Sequence, residues 1–174
     1  MRQFLKSKWA PLVLAALAVA LDQISKALAV VYLKPIATLP LWKDVFHLTY
    51  RINYGAAWSL FEDQPWVFMT VSSLAIVGIL IYYFWDKKLT PAIRYPLAMI
   101  VGGGIGNMID RVFVGYVVDF FDARFINFPV FNVADCFVTV GAFTLFFVIL
   151  YDTVREEIMK KKKGEESHDD AARS

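Results

Sequence analysis

Cysteine is nearly absent. Cys136 is the only one in 174 residues, which excludes an intrachain disulfide and any Cys-rich metal cluster and leaves the redox compartment open. Charge is scarce as well: Asp, Glu, Lys and Arg make up 20% of the chain, thin cover for a soluble domain of this size. The formal net charge is only +2, so nothing suggests a nucleic-acid surface. What fills the chain is apolar: 58% hydrophobic and 16% aromatic residues, with a mean hydropathy of +0.50. That composition excludes a disordered protein. The few charges gather at the ends and in short clusters, leaving apolar runs near the ~20 residues that cross a bilayer, so the chain reads as an integral membrane protein.

Four apolar segments are expected to span: Trp9 to Val31, Trp66 to Trp85, Tyr95 to about Val114, and Phe131 to Tyr151. The second carries aromatic residues at both ends, where headgroup-level anchors belong. Arg2, Lys6 and Lys8 precede the first span, Lys87, Lys88 and Arg94 fill the second loop, and Arg155 with Lys160 to Lys163 follow the fourth. The bias of Lys and Arg toward these three segments makes them cytoplasmic and puts both termini inside. Ala18, Val19 and Ala20 form a passable signal-cleavage site, but the apolar run continues through Val30 and Val31, which favours an uncleaved first helix. The stretch 160–174 is charged, nearly free of apolar residues, and expected to be a disordered cytoplasmic tail. His168 falls in it.

Between the first two spans, Phe46, Leu48, Tyr50, Ile52 and Tyr54 alternate with His47, Thr49, Arg51 and Asn53, a period of two that predicts a strand with unlike faces. A lone hairpin is marginal in water, so this piece should lie on the membrane or on the helices. Between the last two spans, the run from Asp119 to Val130 mixes charges and amides among phenylalanines and reads as an interfacial segment. No repeat and no linker divides the chain, so residues 1–159 read as one membrane-embedded domain.

Charged residues inside spans cost ~2.5 to 3.5 kcal/mol each at a helix centre, and each needs a reason. Asp22 and Lys26 sit at i and i+4 on the first span, where they can pair. Asn107, Asp110 and Arg111 share one side near the end of the third, and Asn132 and Asp135 lie at i and i+3 near the start of the fourth. Asp135 is only about 6 Å along its helix from the outer start. Asp22, Asp110, Asp119 and Asp135 therefore gather near one outer boundary, which describes a pocket rather than a path across the bilayer. Two carboxylates sharing a site do not readily both ionise. Such a pair can hydrolyse a peptide bond, the ionised member taking a proton from water while the protonated one polarises the carbonyl, with no metal or covalent nucleophile.

Plainer readings compete. On residue type alone, Asp22 with Lys26, and Asp110 with Arg111, read as internal ion pairs that hold helices together. Asp119 and Asp135 have no adjacent basic residue, and each is equally readable as an interfacial or helix-start aspartate. Spacing alone does not choose. Cys136 has only His47 as a candidate base and sits beside Asp135, which disfavours its thiolate; it reads as core filler. Gly102, Gly103, Gly104 and Gly106 lie inside an apolar span and make no nucleotide loop. Gly102 and Gly106 are instead a small-xxx-small pair admitting a close helix.

Four motifs now stand in order among the four spans: Asn53, Tyr54, Gly55, Ala56, Ala57 and Trp58; Gly106 to Arg111 (Gly-Asn-Met-Ile-Asp-Arg); Val117, Val118, Asp119 and Phe120; and Phe131, Asn132, Val133, Ala134 and Asp135. In this order the chain resembles the bacterial lipoprotein signal peptidases, signal peptidase II, over essentially its whole length up to the basic tail. Trp58 stands where phenylalanine is more usual in the family. The resemblance implies an aspartyl endopeptidase of the cytoplasmic membrane that removes signal peptides from prolipoproteins on the amino side of a diacylglyceryl-modified cysteine, without cofactor; the protein is expected to be a monomer among membrane lipids and to use no metal. It implies Asp119 and Asp135 as the catalytic pair, with Asn53, Gly55, Ala56, Asn107, Asp110, Arg111, Asn132 and Ala134 shaping the pocket and Asp22 and Lys26 as its polar positions on the first helix. It implies an all-α membrane fold of four transmembrane helices, a small extramembrane β-cradle at about 33–64, and a short amphipathic helix before the fourth span. The rivals are a small proton-coupled transporter, whose polar groups should string across the bilayer, and a non-enzymatic assembly factor, whose carboxylates should tolerate amide substitution.

Overall fold

The structure, a computed structural model, describes residues 7–55, 65–126 and 128–173. Four helices and three strands follow one another as α1 (Ala10–Tyr32), β1 (Thr38–Trp42), β2 (Phe46–Asn53), α2 (Pro65–Trp85), α3 (Pro91–Phe113), β3 (Val117–Ala123) and α4 (Val133–Arg173), with a 3₁₀ turn at Arg124–Ile126. The helices begin and end within a few residues of the four apolar segments, apart from the far end of α4.

The helices are built inside out. On α1 the buried side chains are Ala10, Pro11, Ala15, Ala18, Asp22, Lys26 and Ala29, while Val13, Leu17, Leu21, Ile24, Leu28 and Val31 are exposed. Small and polar residues at helical spacing face the protein and large apolar ones face outward, the reverse of a soluble helix and the pattern of helices packed within lipid. α1 and residues Val133–Lys161 of α4 are long and apolar enough to cross a membrane.

α3 is the hub, packed against α1, α2 and α4. Its glycines allow this. A Cβ on Gly102 would stand 2.8 Å from the Ala15 carbonyl oxygen and 3.0 Å from the Ala18 Cβ, and one on Gly106 would stand 2.6 Å from Asp22 Oδ2. The small-xxx-small pair thus seats α3 on α1. At the opposite end, Arg94 closes the α2–α3 turn: its guanidinium donates to the carbonyls of Leu89 at 3.0 Å, Asp86 at 3.3 Å and Tyr83 at 3.5 Å.

The strands form one antiparallel sheet in the order β1-β2-β3. The expected strand at Phe46 to Tyr54 is β2, one residue shorter. The sheet also recruits residues from beyond the 33–64 cradle. Val117–Ala123 pairs with β2 in a register that sets Arg51 opposite Asp119 and His47 opposite Asp122. The segment from Asp119 onward is therefore strand in its first half, and the short amphipathic helix implied before α4 is reduced to the three-residue turn Arg124–Ile126. The β-branched and aromatic run at 117–121 suits a strand, yet it shows no alternation because Val117, Val118, Asp119 and Phe120 are all buried.

The outer edge of β3 closes on the segment just before α4: the Phe131 N–H donates to the Phe121 carbonyl at 3.0 Å, and the Phe131 carbonyl accepts the Phe121 N–H at 2.8 Å. Val118 and Phe120 then pack on Ala29 and Leu33 at the end of α1. This docking carries β3 and the start of α4 to the same place. α4 itself continues to Arg173, through the tail that composition predicts to be disordered; Glu, Lys, Met and Ala are strong helix formers, and Lys160 bonds Glu157 at 3.3 Å along it.

Candidate active site

The start of α4 explains the spacing of Asn132 and Asp135. Asn132 precedes the first helical residue, and its side-chain oxygen accepts the Asp135 N–H at 3.0 Å while Asp135 Oδ2 accepts the Asn132 N–H at 3.1 Å. This is a reciprocal capping box, which satisfies two otherwise orphaned donors. A third, the Ala134 N–H, is accepted by Asp22 Oδ1 of α1 at 2.9 Å. Ala134 and Asp22 are both fully buried, and a Cβ on Gly106 would stand 3.4 Å from that of Ala134.

Asp119 of β3 faces the same point. It is 2% exposed, and its two oxygens accept from Asn132 Nδ2 at 2.6 Å and Asn53 Nδ2 at 2.9 Å. Asp135 Oδ1 accepts from Asn107 Nδ2 at 2.8 Å. Every oxygen of the two carboxylates thus receives one N–H, and Asn132 bonds to both residues. Burial, reinforced by the negative charge of Asp135, lifts the Asp119 carboxyl to about 7 against the opposing hydrogen bonds from Asn53 and Asn132. Chemically this is a carboxyl pair in which Asp119 holds its proton near neutral pH while both positions remain fixed.

Beneath the pair lies a buried ionic cluster. Lys26 Nζ bonds Asp22 Oδ2 at 2.8 Å and Asp110 Oδ2 at 2.9 Å, and it donates to Asn107 Oδ1 at 2.8 Å. The expected pairing of Asp110 with Arg111 is replaced by this one. Adjacent helical residues point about 100° apart, so Asp110 turns to α1 while Arg111 turns to the loop after β2, donating to the Gly55 carbonyl at 3.0 Å and the Asn107 carbonyl at 3.3 Å. Gly55 in turn donates its N–H to Asn53 Oδ1 at 3.0 Å.

The structure therefore gathers Asp22, Lys26, Asn53, Gly55, Asn107, Asp110, Arg111, Asn132 and Ala134 around Asp119 and Asp135. Ala56 and Trp58 lie outside the described residues. Gln23 is a member that sequence reasoning missed: its amide donates to Asp110 Oδ1 at 2.9 Å and the Gly106 carbonyl at 3.1 Å, tying α1 to α3. The signal was there, a neutral polar residue inside an apolar span next to Asp22.

His47 stands apart from this network. Its Nε2 accepts the Asp44 N–H at 3.2 Å and its Nδ1 lies 3.3 Å from Thr38 Oγ1, so both ring nitrogens serve the sheet. Among the described residues, no three His, Cys, Asp or Glu side chains converge as a metal site.

Known proteins resemble this chain in sequence and in architecture. The family model described as signal peptidase (SPase) II matches residues 14–151. A lipoprotein signal peptidase of Caldanaerobacter subterraneus is 46% identical over 142 residues, covering 80% of this chain and 95% of the relative. Another, of Brevibacillus brevis, is 40% identical over 139 residues, covering 80% and 93%. A bacterial membrane enzyme solved by the in meso method at 2.3 Å superposes with a TM-score of 0.74 at 27% identity, over 83% of this chain and 89% of that one. With the motifs in order and a family match running from within α1 well into α4, the chain belongs to the signal peptidase II family of peptidases.

Proposed function

We propose that this peptidase is an aspartyl endopeptidase whose acid–base pair is Asp119 and Asp135, and that it cuts prolipoproteins on the amino side of the diacylglyceryl-modified cysteine. The observation that carries the reading is the pair itself: a buried carboxyl group, Asp119, and a half-buried one, Asp135, from different elements, bridged by Asn132 and supplied with donors on every oxygen. Asp119, lifted to about 7 chiefly by burial, is the proton-bearing member that polarises the scissile carbonyl. Asp135 accepts the proton of the attacking water. The protons move back as the tetrahedral intermediate collapses, with the amine leaving protonated. Asn53, Gly55, Ala56, Asn107, Asp110, Arg111, Asn132 and Ala134, together with Asp22 and Lys26, shape the pocket.

In this reading, all four helices cross the bacterial cytoplasmic membrane, both termini are cytoplasmic, and residues 1–159 form one domain ahead of a cytoplasmic tail. The Lys and Arg distribution supports that orientation, which sets the pair near the outer face, where lipid-anchored substrate and water meet. The enzyme acts as a monomer on lipid-modified protein, without metal, cofactor or nucleic acid. The test is cleavage of a diacylglyceryl-modified prolipoprotein by purified protein in detergent. Wild type is expected to cut, and Asp119→Asn and Asp135→Asn, verified as folded, are expected to lose at least a thousandfold. A folded variant cutting at the normal rate would sink the assignment.

A further inference from the structure

We propose that Lys26 is a positioning residue for Asp135, acting through the side-chain amide of Asn107. This rests on the preceding reading of Asp119 and Asp135 as the acid–base pair. An ammonium has three hydrogens and no acceptor. On Lys26 the three have three partners, Asp22 Oδ2 at 2.8 Å, Asp110 Oδ2 at 2.9 Å and Asn107 Oδ1 at 2.8 Å. Lys26 is 4% exposed, Asp22 is fully buried and Asp110 is 7% exposed. With no free hydrogen and almost no accessible surface, Lys26 has nothing to offer a substrate.

What it does have is control over a neighbour. An amide has one accepting end and one donating end, and only the accepting end can face an ammonium. Lys26 therefore fixes Asn107 Oδ1 on its own side, which leaves Nδ2 on the other, where it donates to Asp135 Oδ1 at 2.8 Å. The other two amides around the pair are locked in the same manner by backbone donors, Asn53 by the Gly55 N–H and Asn132 by the Asp135 N–H. Asn107 sits mid-helix on α3, and among the described residues no backbone N–H bonds its side-chain oxygen. It takes its orientation from Lys26 and, through a longer bond of 3.1 Å, from Asn132 Nδ2. The charged donor is the stronger of the two. Without it, Asn107 can rotate away from Asp135 or turn its oxygen toward that carboxylate, and the pair loses a fixed donor.

The test is a double-mutant cycle on cleavage kinetics in detergent, with Lys26→Met, Asn107→Ala and the double variant. Lys26→Met is expected to lower kcat on the order of 100-fold, the usual consequence of losing one preorganised donor, with KM changed less than about threefold. In the Asn107→Ala background the same substitution should cost less than about threefold, because the residue it acts through is gone. Full additivity, or a rise in KM with kcat retained, overturns the proposal. Asn107→Asp keeps the fold's acceptor for Lys26 but has no N–H for Asp135, so it tests the same point should Lys26→Met fail to fold: kcat is expected to fall on the order of 100-fold without loss of Tm, and retention of kcat overturns the proposal. Asp135→Asn separates the two levels. If that variant cuts normally, the reading of the pair fails and this proposal with it; if it is inactive while folded Lys26→Met keeps its kcat, only the role of Lys26 fails.

Discussion

Gly106→Ala is expected to destabilise the protein, although alanine is the better helix former. The new Cβ would stand 2.6 Å from Asp22 Oδ2 and 3.1 Å from Asp22 Cγ. A side-chain tip ordinarily swings aside cheaply, but Asp22 is held at both oxygens, by the Ala134 N–H at 2.9 Å and by Lys26 at 2.8 Å. Either α3 withdraws from α1, at about 1–3 kcal/mol for overpacking, or Asp22 moves and strands a buried ammonium or helix N–H, at about 3–5 kcal/mol for a broken buried pair. The gain in helix propensity offsets about 1 kcal/mol. The net loss is about 0–2 kcal/mol by the first route and about 2–4 kcal/mol by the second, up to several degrees of Tm at the ~2–4 °C per kcal/mol usual for a chain of this size. Gly78→Ala on α2 is the control: its Cβ meets nothing within 4 Å, so propensity acts alone and Tm should hold or rise slightly. The assay is thermal unfolding of both variants in one detergent, with cleavage measured alongside. A Gly106→Ala protein as stable as Gly78→Ala, with full activity, would refute the claim that Asp22 is pinned.

Two further outcomes follow from other parts of the molecule. The Asp119 carboxyl, raised from 3.8 to about 7 by burial and then by the charge of Asp135, binds its proton more tightly folded than unfolded, so its contribution to stability is present below pH 4 and declines as pH rises from about 4 to 7. The effect is capped on the order of 4 kcal/mol. Tm measured between pH 5 and pH 8 should fall in wild type and fall less in Asp119→Asn, and equal slopes would contradict the assignment. Arg94→Leu removes the guanidinium that satisfies three carbonyls at the α2–α3 turn and should cost about 2–4 kcal/mol. Because the turn joins the opposite ends of these helices from the carboxyl pair, KM for the folded fraction should be unchanged; a KM effect without a Tm effect would contradict a purely structural role.

Composition and local pattern determined a good deal. Apolar runs of bilayer length located the four helices, a period of two located β2, and the rarity of charge inside those runs marked Asp22, Lys26, Asp110 and Asp135. These are properties of one segment at a time, set by helix rise, strand alternation and the cost of burying charge. β3 escaped because it is buried on both sides and so shows no alternation. Partners likewise belong to the tertiary structure. Asp110 adjoins Arg111 in sequence yet pairs with Lys26, because a helix turns neighbours apart and brings α1 and α3 together at Gly102 and Gly106. Asp119 meets Asn132 across a turn whose shape is decided by the pairing of Phe121 with Phe131. The sequence determined by itself which residues were too polar for their surroundings; which carboxyl faces which donor was decided only by the packing of α1, α3, α4 and the sheet, because hydrogen-bond geometry depends on distances between segments that no local pattern encodes.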